Sequence, residues 1–458
     1  MKTSKIKTAL CVTAAAIAGV SGLLSVKWVR ETEPTIPVHS ETVTAEEKPP
    51  EFDYEGLSKS LSLICSKDIS VDILKNFSDE ELTALSNASK DGFLTNEEWH
   101  ESIGYTLNAL TDVFGTKESV DMGNNGRDSF VLGFTGDINF TYSGYVMTHA
   151  RTMPGSVLDC IDETFQNEMK SADIMLVNNE FPYSDRGEPQ PDKKFTFRSE
   201  PENVKYLADM GVDIVSLANN HAYDYGHDAF IDTMAILDEA GIARVGAGMN
   251  AGEASAPATF VINGYKVAYL ACCGVESPIK TPVAGEDSEG IMGSYDGGEA
   301  MVTAIKAAKE YCDYVIVYPH WGYENTTELT AAQKANGKKY IDAGADAVIG
   351  DHSHILQGME FYNGKPIIYS MGNFWFNTKN QPTIMLKLEI GRGGEMTTTI
   401  IPGMQENSET HYMEDGAEQR WLYDSIVSWS PANSITIDDN GIVTPNDNSE
   451  TELSQPSE

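Results

Sequence analysis

Between residues 130 and 390, short apolar runs rich in β-branched side chains alternate with stretches of helical spacing, and this alternation constrains the fold more than any other feature. The apolar runs are 130–135, 174–178, 213–218, 261–272, 314–318, 347–350, 358–371 and 383–390. Helical spacing falls near 157–171, 201–210, 228–240, 299–311 and 330–343. Unbroken apolar strands separated by helices predict a largely parallel α/β core. Asn263-Gly264 and Asn363-Gly364 mark two added antiparallel hairpins.

Six of these strands or hairpins stop on polar residues. Val212-Asp213-Ile214-Val215 runs into Ser216-Leu217-Ala218-Asn219-Asn220-His221, with Asp224 three residues on. The others end at Gly136-Asp137, Asn178-Asn179-Glu180, His320-Trp321-Gly322-Tyr323-Glu324, Gly350-Asp351-His352-Ser353-His354 and Gly372-Asn373. A single Asp, Asn or His at a strand end is ordinarily a cap or a turn residue. Six such ends are different, because the carboxyl edge of an open α/β sheet is where ligands bind. Mixed carboxylate, amide and imidazole donors suit divalent metals such as Mn²⁺, Zn²⁺ or Fe. His352 and His354 alternate along an extended segment, so both reach one site only if the backbone turns between them.

In this order the motifs Gly-Asp (Asp137), Asn-x-Glu (Glu180), Asn-Asn-His-x-x-Asp-x-Gly (219–226), His-Trp-Gly-x-Glu (320–324), Gly-x-His-x-His (350–354) and Ser-x-Gly-Asn-Phe (370–374) resemble the CapA family of bacterial capsule and poly-γ-glutamate synthesis proteins. The resemblance covers about residues 130–401. That family is similar in fold to calcineurin-like metallophosphoesterases. The resemblance therefore implies a four-layer α/β/β/α sandwich, metal ligation by Asp137, Glu180, Asn220, His320, His352 and His354, and a donor or general-acid role for His221 with Asp224 beside it. Arg198, Asn219, Glu324 and Asn373 are expected to contact substrate. Asn139 stands where phosphoesterases commonly carry a histidine ligand, so one ion and two both stay open. The implied function is capsule or poly-γ-glutamate synthesis or export, with phosphoester-type hydrolysis as the chemistry. The alternative is a non-catalytic binding or scaffolding subunit.

The flanks carry different signals. Lys2, Lys5 and Lys7 precede residues 8–26, which hold no charge, and Lys27 and Arg30 follow. This pattern predicts an anchor over 1–30 with the rest of the chain outside the cell membrane; the alternative is a cleaved signal and a secreted chain. Residues 31–52 read as a flexible tether, 53–120 as a helical extension, 128–402 as the main domain, 403–432 as a helical segment whose helix falls at 415–429, packed on the core, and 433–458 as a mobile acidic tail. The long polar loops 183–194 and 276–298 are candidate rims of the site.

Asn87–Glu98 has EF-hand-like spacing, but Asn87 replaces the usual first Asp, and a helix–turn–helix is the preferred reading. The six cysteines form no disulfide framework, and Cys272 and Cys273 read as core. A net charge of -37 excludes nucleic acid as a partner. The partners expected are an anionic surface polymer or its precursor, the membrane, and other capsule synthesis subunits.

Overall fold

The computed structural model describes residues 52–446, apart from 66, 114–117 and 277. The expected anchor at 1–30 and nearly all of the 31–52 tether lie outside the described residues. The chain divides into two compact units, Met1–Gly92 and Phe93–Glu458.

In the smaller unit, Tyr54–Cys65, Val71–Leu74 and Asp79–Ala88 are helical. Ser78 and Glu81 close a capping box before the third helix. Asn87 Oδ1 accepts from Lys90 Nζ at 2.6 Å.

In the larger unit, Glu98 caps the helix Asn96–Ile103 by accepting from Thr95 N at 2.7 Å. The glutamate that an EF-hand loop would give to calcium is thus a helix cap. That helix and Leu107–Val113 sit in the larger unit, so the helical stretch read over 53–120 is split between units. Thr106 Oγ1 and Asn108 Nδ2 donate to Asp313 at 2.6 and 2.9 Å, which ties this segment to the 314–320 strand.

Two sheets build the core. One runs Val120–Gly123, Ala258–Ile262, Tyr265–Cys273, Tyr314–His320, Ala347–Ile349, Lys365–Ile368, Met359–Tyr362. The other runs Ile435–Ile437, Ile442–Pro445, Met396–Glu406, Gln381–Gly391, Ser129–Ile138, Ile174–Asn179, Ile214–Ser216, Ala243–Val245, with Asn373–Trp375 and Glu409–Tyr412 at its side. The central strands of both are parallel, and the two Asn-Gly turns carry positive φ at both residues, as tight hairpins need.

Side-chain alternation explains the layering. Val267, Tyr269 and Ala271 face the other sheet, where Tyr269 meets Phe134 with ring centroids 6.3 Å apart. Ala268, Leu270 and Cys272 face outward onto Met301 and Ile305 of Glu299–Lys309 and Tyr340 of Ala331–Asp342. Glu163–Ser171, Lys205–Met210 and Gly226–Ala240 pack apolar faces against the core on the side of the ten-stranded sheet. The result is the expected four-layer α/β/β/α sandwich. Cys272 and Cys273 are buried on opposite faces of one strand, as core residues.

Near the C-terminus one expectation holds and one fails. The helix expected at 415–429 is present as Gly416–Trp429, while the part of the 403–432 segment before it continues strand Met396–Glu406 and forms Glu409–Tyr412. The predicted mobile tail holds a hairpin, Ile435–Ile437 with Ile442–Pro445, joined to the large sheet through Thr398 and Val443. Ile435, Ile437 and Val443 are buried there, and Asp438 Oδ1 closes the turn by accepting from Asn440 and Ile442. Residues from 447 onward lie outside the described residues.

One close approach brings the strand ends together. A Cβ on Gly136 would meet Gly372 O at 1.8 Å, and Asp137 N donates to that same oxygen at 2.9 Å. Gly136→Ala should therefore lower stability by about 2–3 kcal/mol. Gly416→Ala, which meets nothing within 4 Å, should stay within about 0.5 kcal/mol of wild type. Urea unfolding of both variants checks the contrast; equal stability would mean that the 136–372 contact is not tight.

Candidate metal centre

Each motif delivers its side chain from the carboxyl end of a strand. Asp137 lies one residue before the end of Ser129–Ile138, and Glu180 directly follows Ile174–Asn179. Asn220 and His221 follow Ile214–Ser216, and His320 ends Tyr314–His320. His352 and His354 follow Ala347–Ile349, and Asn373 lies beside Asp137 in register. The turn that the 352/354 pair required is present: His352 and His354 have φ of 99° and 58°. Left-handed backbone at a non-glycine residue costs on the order of 1–3 kcal/mol and concentrates at functional sites.

The donors form two groups that share one residue. Ligand atoms of Glu180, His320 and His352 all lie within 4.8 Å of one another, and so do those of Asp137, Glu180 and His354. Asn220 Oδ1 joins the first group, 2.9 Å from His320 Nε2. Asn373 Oδ1 joins the second, 2.9 Å from His354 Nδ1. All six residues expected to bind metal are thus brought together.

Their bonding is incomplete in the way a cation would complete it. His320 Nε2 lies 2.9 Å from Asn220 Oδ1, 3.0 Å from His352 Nδ1 and 3.4 Å from Glu180 Oε1, and one N–H cannot serve three acceptors. Both Glu180 carboxylate oxygens are buried with no hydrogen-bond donor. Burial pushes the Glu180 carboxyl well above its usual range, and the Asp137 and Asp351 charges add to this. Burial also holds His320 well below its ordinary value and His352 down at about 3, with neighbouring histidines adding to both, so each offers a lone pair. Burial raises Asp137, but the His354 hydrogen bond and charge outweigh it and hold that carboxyl low. His354 is the converse: burial lowers it, and the Asp137 bond at 3.0 Å wins and raises it. The donor set fits a divalent metal.

His221 stands beside the cluster, with its Nδ1 2.7 Å from Asp224 Oδ2. Asp224 also accepts from Phe197 N at 2.7 Å, and the Phe197 ring lies 4.2 Å from the imidazole. Asn219, expected at the substrate, is buried and spends its amide on Asn178 Oδ1 and Asn179 O, at 3.1 and 3.0 Å. It braces the strand ends. Arg198 donates to the Arg186 and Gly187 carbonyls at 3.2 Å and lies 4.1 Å over the Tyr225 ring, which makes it a staple of the 183–194 loop. Glu324 is exposed and near enough to His354 to raise its proton affinity.

Three participants escaped the sequence reading. Asn178 Nδ2 donates to Asp137 Oδ1 at 2.6 Å, Lys193 reaches the 219–224 motif, and Asp351 accepts from Tyr318 OH at 3.0 Å behind Asp137. Asn178 and Asp351 lie inside the quoted motifs, so their position was a signal; Lys193 is one lysine in a polar loop and gave none.

Residues 131–378, which carry all of these side chains, match the family model of the bacterial capsule synthesis protein PGA_cap. The chain belongs to that family. Within it, this PGA_cap chain is similar to the PGA biosynthesis protein CapA of Bacillus subtilis, 29% identical over 283 residues that cover 59% of this chain and 73% of the relative. It is also 29% identical to the capsule biosynthesis protein CapA of Bacillus anthracis, over 52% of this chain and 60% of that one. A phosphatase structure from Mycoplasma pneumoniae matches with a TM-score of 0.39 and 13% identity, over 61% of this chain and 94% of that one.

The shared carboxylate sets the expected metal stoichiometry. Dialysed against Mn²⁺ or Zn²⁺, wild type should retain up to two ions per chain by elemental analysis. Glu180→Gln should lose both, and His352→Ala should lose one while the Asp137–His354 group keeps the other. Full occupancy in Glu180→Gln would contradict the shared-ligand arrangement.

Proposed function

We propose that this chain is a membrane-tethered, extracytoplasmic metalloprotein of CapA type that hydrolyses a phosphoester or related bond during synthesis or export of an anionic surface polymer. The observation that carries the hydrolytic part is the His221–Asp224 pair, 2.7 Å apart, beside a ligand cluster whose central carboxylate has no donor. Asp137, Glu180, Asn220, His320, His352 and His354 would hold the ions. When bound, a divalent ion supplies Lewis-acid polarisation of the scissile group's oxygen.

The protein's own residues do the rest. Asp224 accepts at His221 Nδ1, which orients the ring, and in the imidazolium form the Nε2–H gives its proton to the leaving oxygen, leaving the neutral Nδ1–H imidazole. Tyr183–Lys194 and Glu276–Gly298 border the site and are joined by Lys280 Nζ, which donates to Pro191 O at 2.6 Å. The relatives' names, a PGA biosynthesis protein and a capsule biosynthesis protein, support the polymer assignment. The membrane anchor would be residues 1–30; among the described residues no helix is long and apolar enough to cross a membrane.

His221→Ala should keep its metal and lose about 10²–10⁴ of any hydrolytic rate on a panel of phosphoesters, since that is the scale of a lost general acid. Wild type, fully metallated yet inert on the whole panel, would replace hydrolysis with the polymer-binding role. For location, full-length protein should sediment with membranes and resist high-salt washing. Recovery of a soluble mature chain lacking residues 1–26, with no protease added, would show a cleaved signal instead.

A further inference from the structure

Among the described residues, Lys193 is the one lysine whose ammonium enters the 219–224 motif from the rim. Its side chain is 5% exposed, although it belongs to a polar loop. The ammonium lies 2.5 Å from the Asn220 carbonyl oxygen, 2.7 Å from Asp224 Oδ1 and 3.1 Å from Glu276 Oε2. Burying a lysine is costly unless its charge is met, and here two carboxylates and a carbonyl meet it. These contacts fall on both flanks of His221: the carbonyl one residue before it and the carboxylate three residues after it.

Asp224 has two oxygens with different duties. Oδ2 accepts from His221 Nδ1 and Phe197 N, and Oδ1 faces Lys193. Two hydrogen bonds at Oδ2 and the Lys193 ion pair at Oδ1, an oxygen with no hydrogen-bond donor of its own, restrain this buried carboxylate, so the lone pair offered to His221 keeps one direction. The Asn220 carbonyl is likewise held twice, by Lys193 and by Thr281 Oγ1 at 2.7 Å. Glu276 adds the second rim loop to the same ammonium.

We infer that Lys193 is a positioning residue for His221: it fixes the Asp224 carboxylate and the backbone before His221, and so sets the tautomer and direction of the imidazole. This rests on the proposed role of His221 as proton donor only for its effect on rate; the effect on the ring itself is independent. Among the described residues, Arg198 and Lys280 donate instead to carbonyls of the 183–194 loop.

The test uses the full chain loaded with Zn²⁺ and labelled with ¹⁵N-histidine, with the His221 signals assigned by their loss in His221→Gln. Wild type should show His221 as a single tautomer protonated at Nδ1. Lys193→Met and the more conservative Lys193→Gln should keep Zn²⁺ content and circular dichroism while His221 shows a tautomer mixture. Glu276→Gln, which leaves the Lys193–Asp224 contact in place, should show the wild-type ring. On any phosphoester that wild type hydrolyses, Lys193→Gln should lower kcat by about 10–100-fold with KM changed less than threefold. A His221 spectrum unchanged in both Lys193 variants would overturn the inference. So would loss of Zn²⁺ in both, because Lys193 would then serve the Asn220 ligand and not His221. If wild type is inert on every substrate, the tautomer result still decides the positioning role, and only the hydrolytic reading fails.

Discussion

A carboxylate placed at zero exposure with no donor on either oxygen is the constraint on which the rest of this structure turns. Glu180 is that group, and it belongs to both donor clusters. An isolated buried carboxylate costs several kcal/mol, so a fold that keeps one must neutralise it with a proton or answer it with a cation. Around Glu180 the imidazoles of His320 and His352 are held neutral by burial, and an amide oxygen points at the same space. Hydrogen bonds among these groups leave lone pairs facing one another, which a divalent ion resolves at once.

The sandwich exists to bring that convergence about. Parallel strands in each sheet end on the same edge, and the 136–372 backbone contact draws Asp137 and Asn373 into register. His320 arrives from the opposite sheet, followed by the 352–354 turn, whose positive φ at two histidines is local strain that the surrounding strands hold in place. Asn219 and Asn178 then brace the strand ends from behind, so the ligands are fixed by neighbours that do not themselves bind.

The parts of this arrangement legible in the sequence are those encoded locally. Apolar runs of strand length ending on Asp, Glu, Asn or His reveal both the α/β core and the ligand set, because strand direction alone carries those residues to one edge. Asn263-Gly264 and Asn363-Gly364 reveal hairpins because both turn residues must adopt positive φ. Lys193 was not legible: its place depends on how a 12-residue polar loop folds back over the 219–224 motif, and no spacing encodes that. Arg198 drew attention for its chemistry, but tertiary contacts give it to its own loop. The terminal hairpin carries the same signal, Asn440-Gly441 between Ile435, Ile437 and Ile442, Val443, but in an acidic stretch whose few apolar anchors are buried only through the distant strand Met396–Glu406.

Glu180 would be shared by two adjoining metal positions. Anomalous diffraction from a crystal grown with Mn²⁺, collected at the manganese edge, tests it directly. Two peaks are expected, one among Glu180, Asn220, His320 and His352 and one among Asp137, Glu180, His354 and Asn373, each about 2.0–2.3 Å from a Glu180 oxygen. A single ion bound without Glu180, or manganese found only elsewhere on the protein while Glu180 stays unliganded, would contradict it.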